Sequence, residues 1–253
     1  MIKHNLDIIV VSYKTPELIE IVIKSFQKFV TSDFNLRFII IENSDFNLSG
    51  LIKEKSFNNV TIINNPINLT LSYAHGDGLD ISKKFISSSA DYVFTCHSDV
   101  CVTSNSFFKE LKDCIEEKVY LAGVCEDAHP DRIKAFHCSG LLVKAEIFKN
   151  VSMLPLFPQI DTADLLTVHC RENNLKMKLF RNTYNDPVLV EVCDSPFKEL
   201  GKTCGVDRCL DRENKVMFIH QGRGTTKYVG SYFSPQKIMT NDWLKLCNSL
   251  IQL

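Results

Sequence analysis

The sequence predicts an α/β protein with a doubly wound, mostly parallel sheet and a mixed C-terminal half. Three observations predict it. Asp7–Tyr13, Leu36–Ile41, Val60–Ile63 and Tyr92–Thr95 are short apolar runs rich in β-branched and aromatic residues, the pattern of strands covered on both faces. Segments with apolar residues three or four apart follow the first and third of these runs, giving the βαβαβ order of a parallel sheet. The chain has 253 residues, 45% hydrophobic and 23% charged, enough for one large domain that buries roughly 70–75% of its unfolded surface.

Asp7–Tyr13 is the first strand. Thr15 is placed to cap the next helix, Pro16 suits its first position, and Leu18, Val22, Phe26 and Phe29 form a core-facing stripe. The second strand ends at Glu42-Asn43-Ser44, and Asn64-Asn65-Pro66 breaks the third. Beyond Thr70 a helix carries Leu79, Ile81, Phe85 and Ile86. The fourth strand then runs into Cys96-His97-Ser98-Asp99. Ser104 is a candidate cap for a helix bearing Phe107, Phe108, Leu111 and Ile115. Tyr120–Val124 and Leu141–Val143 read as strands, about Asp161 to Glu172 as a helix and Lys176–Leu179 as a strand. The tail from about Pro235 places Ile238, Trp243, Leu246, Leu250 and Ile251 at helical spacing. With no repeat or linker, the chain reads as one domain: a nucleotide half (1–100), an acceptor half (101–234) and a C-terminal helix (235–253).

A net charge of −1 argues against broad electrostatic binding to nucleic acid or anionic lipid, leaving room for a local phosphate pocket. No apolar run approaches the roughly 18 residues that span a bilayer, and the N-terminus lacks a secretory pattern. The expectation is a cytoplasmic protein, with peripheral contact at the inner membrane face compatible with it. The ten cysteines read as reduced, buried thiols rather than a disulfide framework. Cys193, Cys204, Cys209 and His220 lack the spacing of a structural zinc knuckle.

In open α/β sheets ligands bind beyond the carboxyl ends of the strands. Those ends carry Ser12-Tyr13, Glu42-Asn43-Ser44 and His97-Ser98-Asp99. Neither G-x-G-x-x-G nor a Walker A sequence is present, which argues against dinucleotide enzymes and P-loop NTPases. Asp99 with His97 offers oxygen and imidazole ligands for a divalent cation that a substrate diphosphate would complete. On spacing alone Asp99 equally suits a turn cap, and His97 a core position.

Asp7-Ile-Ile-Val-Val-Ser-Tyr-Lys-Thr-Pro16, Ile40-Ile-Glu-Asn-Ser44, Asn68-Leu-Thr-Leu-Ser-Tyr-Ala-His-Gly-Asp-Gly78, His97-Ser-Asp-Val100, Cys138-Ser-Gly140 and Phe218-Ile-His-Gln-Gly-Arg-Gly224, in this order, resemble the inverting family-two glycosyltransferases of the GT-A fold. The resemblance implies transfer of a sugar from a nucleotide-diphosphate sugar, a uridine nucleotide being favoured, to a hydroxyl of a growing glycan or glycolipid. It also implies a divalent cation, Mn2+ or Mg2+. Ser12, Tyr13 and Glu42 then correspond to the groups holding the nucleoside, Glu42 standing where the family more often has Asp. Asn68 to Gly78 corresponds to the donor loop and helix start, with Thr70 and Gly76 departing from the usual glycine and asparagine. His97-Ser98-Asp99 takes the place of the family's D-x-D, with His97 replacing the first aspartate and Asp99 the metal ligand. His220 resembles a histidine that reaches back to the metal, with Arg223 beside the diphosphate. Glu42 as a turn cap and His220 as a loop residue remain the alternatives, and His75 reads as a solvated helix-start residue.

Inverting transfer needs a base for the acceptor hydroxyl. The resemblance places it in an acidic segment before a late helix, where Asp161 and Asp164 stand three apart, on one helical face. The family's usual Glu-Asp pair is absent. Asp161 also suits the helix N-cap, and Glu126 and Asp127 are reserves. Two further readings stay open: a sugar-1-phosphate nucleotidyltransferase, which would want glycines after the first strand that Ser12-Tyr-Lys-Thr-Pro16 lacks, and a non-catalytic glycan-related binding protein.

Overall fold

The computed structural model describes residues 3–50, 57, 59–67, 69, 71–127, 129–200, 206–222 and 234–252, the side chains of 71 and 234–240 excepted. Its main sheet has seven strands: β1 (His4–Ser12), β2 (Phe34–Glu42), β3 (Val60–Asn64), β4 (Tyr92–Cys96), β6 (Leu121–Gly123), β7 (Gly140–Lys144) and β8 (Met177–Leu179). Their spatial order is β3-β2-β1-β4-β7-β6-β8. The first four are mutually parallel, and β7 alone runs antiparallel to its neighbours. The expected doubly wound, mostly parallel α/β sheet is therefore what the chain forms.

Side chains alternate across β1. Ile8 and Val10 enter one core with α1 (Pro16–Phe29) and α3 (Ser106–Glu116), while Ile9 enters another with α2 (Leu71–Ser82), α4 (Ala145–Asn150) and α5 (Asp164–Glu172). This explains the unbroken apolar runs, since both faces are covered. The one charge in the first run, Asp7, is buried and accepts from Arg37 Nε at 2.9 Å, Arg37 Nη2 at 2.6 Å and the Ser87 amide at 2.7 Å. It lies in the half of β1 remote from Ser12. A last helix, α6 (Ser234–Gln252), packs on α1 through Trp243 and Cys247 against Leu18 and Ile21.

The mixed half forms a second, antiparallel sheet that periodicity did not reveal: β5 (Val100–Val102), β11 (Val216–His220), β10 (Asp207–Leu210) and β9 (Arg181–Asn182), in that order. Its strands have two to five residues, too few for an alternation to register. Phe218 of β11 docks this sheet onto the first core, stacking on Phe107 with ring centres 5.4 Å apart and meeting Phe94 edge-on at 6.2 Å.

Three local expectations change. Thr15 makes no side-chain cap; its hydroxyl meets Ser12 Oγ at 3.2 Å, while Pro16 opens the helix as expected. Ser104 Oγ accepts the Ser106 amide at 3.1 Å, one residue ahead of the N-cap position Asn105. Helix α5 begins at Asp164 instead of Asp161, so the two carboxylates do not share a helical face, and Asp161 is not its N-cap. The chain turns at Ala163, whose φ of 66° is unfavourable for a residue with a Cβ.

Because Phe218 links the two sheets, Phe218→Ala should lower unfolding free energy by about 3–5 kcal/mol in denaturant titrations, and Phe218→Leu by clearly less. Equal, small losses for both would mean the stacked ring does not carry this joint.

Candidate functional site

The parallel strands β1, β2 and β4 end side by side, with Ser12 in register with Glu42 and Cys96 with Val10. The chain leaving β4 turns through His97-Ser98-Asp99 and enters β5 of the second sheet. There β11 pairs with both neighbours at one point: His220 lies opposite Asp207 of β10 and opposite Val100 of β5. The register thus sets His220 between two carboxylates. Its Nδ1 is 3.1 Å from Asp207 Oδ2 and its Nε2 is 3.4 Å from Asp99 Oδ1. His97 Nδ1 lies 3.2 Å from the same Nε2 and 3.9 Å from Asp99 Oδ1.

His220 and Asp99 are buried and His97 is half-buried. Burial alone would discharge His220, but Asp99 and Asp207 overcome it and push the imidazole up to about 10. Burial, with His75 and His220 as neighbours, drives His97 well below its usual value. The metal-free pair is therefore an imidazolium donating to Asp207, Asp99 and the lone pair on neutral His97 Nδ1. Three ligand atoms, His97 Nδ1, Asp99 Oδ1 and His220 Nε2, converge in a group able to hold a cation. Donors on adjacent corners of an octahedron, 2.1 Å from a cation, stand about 3 Å apart, close to the two shorter separations here. A cation must displace the His220 proton, so its affinity rises with pH.

On the other side of His97, its Nε2 is 3.2 Å from Cys138 Sγ, which in turn lies 3.8 Å from His75 Nδ1. His75 is not a solvated helix-start residue. Its ring stands 5.0 Å from that of His97, and burial, reinforced by His137, pushes it down to about 4. Gly76 lets this helix pack closely on the Met153 backbone, since a Cβ there would fall 2.6 Å from the Met153 carbonyl oxygen. The His137 ring packs edge-on against His97 at 5.3 Å.

Glu42 is fully buried. One oxygen accepts from the Lys14 amide at 3.0 Å and from the Ser44 hydroxyl; the other, Oε2, has no partner among the described residues. Ser12 is buried beside it and Tyr13 is exposed, with the Lys14 ammonium 5.7 Å from its ring centre. Gly78 packs α2 closely onto β1, a Cβ there meeting Val11 at 3.0 Å. Ser98 is buried. Asn68 and Arg223 lie outside the described residues, as does Cys204.

Arg132 pairs with both Asp161 and Asp127, at 3.3 Å from the latter. Asp164 accepts the Asp161 amide at 2.7 Å, and burial pushes its carboxyl up to about 6. The Asp161 charge favours the protonated forms of His75, His137 and Cys138, an effect smaller than their burial. Of the reserves, Glu126 is paired with Arg171 at 3.2 Å. Sequence reasoning missed Asp207, Cys138 as a donor atom, His137 and Arg132. None sits in a local pattern, and each is brought in by pairing or turns distant in sequence.

No family model matches the sequence, and no curated protein resembles it at the sequence level. Solved structures do resemble it, and they place the chain in the GT-A glycosyltransferase fold. An active-site mutant of LgtC matches with a TM-score of 0.55 at 12% identity, over 93% of this chain and 94% of that one. The mannosyltransferase PcManGT from Pyrobaculum calidifontis, in complex with GDP-Man and Mn2+, matches at 0.50 and 11% identity over 70% of this chain. This chain spans 55% of that enzyme's length. Glucosyl-3-phosphoglycerate synthase from Mycobacterium tuberculosis, in complex with Mn2+, UDP and glucosyl-3-phosphoglycerate, matches at 0.50 and 12% identity, over 70% of this chain and 69% of that one. No helix among the described residues is long and apolar enough to cross a membrane.

The carboxylate pair around His220 makes a sign-specific prediction. A raised folded value stabilises the fold fully below the ordinary 6.5, and this contribution disappears as pH rises through about 10. In the metal-free protein, side-chain NMR should find His220 protonated at pH 8, and Asp207→Asn should lower its midpoint by more than about one unit. A wild-type midpoint near 6.5 would show that the carboxylates do not hold the charge.

Proposed function

We propose that this chain is a metal-dependent glycosyltransferase that moves a sugar from a nucleotide-diphosphate sugar to a hydroxyl of a glycan or glycolipid, with inversion at the anomeric carbon. The observation that carries it is the convergence of His97 Nδ1, Asp99 Oδ1 and His220 Nε2 at the carboxyl ends of the strands of a GT-A fold. His97, Asp99 and His220 would hold the cation, which supplies charge neutralisation for the leaving diphosphate. Two imidazoles make the set better suited to Mn2+ than to Mg2+, which prefers oxygen. Mn2+ accompanies the nucleotide in two of the matched structures.

The other roles follow from what each side chain offers. Glu42 Oε2, buried and unpartnered, accepts from a nucleoside hydroxyl or base N–H, which removes the cost of its isolation. Ser12 and the exposed Tyr13 border that position, and the segment from Asn68 to Gly78 is assigned to the donor. Arg223 is assigned to the diphosphate. On the acceptor side Asp161 is the base. Its side chain retains 17% exposure, whereas Asp164 is only 2% exposed, and access to the proton comes before basicity. Asp164 positions Asp161 through its amide, and Arg132 fixes the carboxylate's direction. Residues 1–100 then supply the donor site, and the rest of the chain supplies the base and the third metal ligand.

Thermal unfolding with uridine or guanosine diphosphate, with and without Mn2+, tests this reading. At a hundredfold excess over Kd a ligand adds about 2.7 kcal/mol, which for a chain of this size is a rise of about 5–10 °C. The rise should require Mn2+ and vanish in Asp99→Asn. Asp161→Asn should keep the rise yet lose transfer by about 10²–10⁴-fold. A nucleotide effect indifferent to both Mn2+ and Asp99 would overturn the assignment.

A further inference from the structure

We propose that the chain carries a second cation site of different chemistry, in which His75 Nδ1, His97 Nε2 and Cys138 Sγ bind Zn2+, and that occupancy of this site opposes occupancy of the His97–Asp99–His220 site. The three donors form a group of their own on the opposite edge of the His97 ring. For Zn–S of 2.3 Å and Zn–N of 2.0–2.1 Å at a tetrahedral angle, nitrogen and sulfur stand about 3.6 Å apart. The two separations here, 3.2 and 3.8 Å, lie on either side of that value. A thiolate with two imidazoles selects zinc-like cations over Mn2+ or Mg2+, which favour oxygen.

The surroundings suit such an ion. His75 Nε2 is buried without a partner among the described residues, and it would carry the ring's proton when Nδ1 binds an ion. The thiol of Cys138 is buried and unpaired with any other cysteine. Coordination releases the Cys138 thiol proton to solvent, while both imidazoles bind neutral. The thiolate cancels one of the two zinc charges.

Antagonism follows from the electron count of one ring. A neutral imidazole has a single lone pair. Zinc on His97 Nε2 takes it and leaves the proton on Nδ1, the atom the other site requires. Without zinc the proton rests on Nε2, donating to Cys138, and Nδ1 is free to coordinate. This second half rests on the reading of His97–Asp99–His220 as the Mn2+ site; the zinc site itself does not.

The test uses the reduced, metal-free full chain. Calorimetric titration with Zn2+, and with Co2+ as a spectroscopic substitute, should show one cation bound with a thiolate-to-cobalt charge-transfer band. Cys138→Ser should abolish the band, and His75→Gln should weaken Zn2+ binding by more than about a hundredfold, beyond what loss of an outer-shell partner costs. Asp99→Asn should leave it within about threefold. Full Zn2+ affinity in both Cys138→Ser and His75→Gln, or loss only in Asp99→Asn, overturns the site; so does failure of the wild-type chain to bind. Should Cys138→Ser not fold, the half-buried His75→Gln and the cobalt band of the wild type still decide. One equivalent of Zn2+ should then reduce the Mn2+-dependent nucleotide stabilisation at least tenfold in apparent affinity, and Cys138→Ser should relieve that loss. Zinc bound with the band but without effect on nucleotide would remove the antagonism alone. A wild type that binds zinc but never nucleotide would remove the transferase reading and leave the zinc site standing.

Discussion

One buried imidazole joins the two sheets of this protein at its site. His220, on the last position of β11, stands between Asp99, which follows β4 of the main sheet, and Asp207, which opens β10 of the second. Asp99 is almost wholly buried, and an uncompensated carboxylate in such a place costs about 3–5 kcal/mol. The antiparallel registers that put Val100 and Asp207 opposite His220 set the compensating imidazole between the two carboxylates. Phe218, two residues earlier on the same strand, anchors that register to the aromatic core through Phe94 and Phe107. Core packing and site electrostatics therefore meet on one five-residue strand.

The same constraint shapes the chemistry. In the metal-free state a proton on His220 balances the carboxylates; a divalent cation at His97, Asp99 and His220 would take over that role and bring further charge for a diphosphate. The fold offers this positive centre where parallel strands end, beside a carboxylate, Glu42, with one oxygen left without a partner. His97 is the pivot, since its two nitrogens face different donor sets, one with carboxylate and imidazole and one with a thiol. Its part in either set depends on which nitrogen holds its proton.

Much of the main sheet was legible because its long strands are buried on both faces, so runs such as Asp7–Tyr13 stand out without any partner being known. The polar residues ending those runs, Ser12, Glu42 and Asp99, were legible for the same reason. The second sheet was not: Val100–Val102 and Asp207–Leu210 are too short for a pattern, and their strand identity comes from pairing with Val216–His220. Asp207 could not be found without that register, since it lies more than a hundred residues beyond Asp99. His75 was misread because a glycine-rich helix start suggests solvent, whereas the fold packs its ring against His97 and brings its Nδ1 to Cys138. Asp161 and Asp164 were chosen as helical neighbours, but the left-handed turn at Ala163 leaves Asp161 outside the helix, where its amide donates to Asp164 and its carboxylate pairs with Arg132.

With His97, Asp99 and His220 as ligands, a divalent cation and a proton compete for His220 between the same two sheets. A crystal grown with Mn2+ and a nucleoside diphosphate, with data collected for manganese anomalous scattering, tests it most directly. The account predicts one strong peak within coordinating distance of His97 Nδ1, Asp99 Oδ1 and His220 Nε2, with the diphosphate completing the shell. A peak elsewhere, with His220 still bridging Asp99 and Asp207, would contradict it.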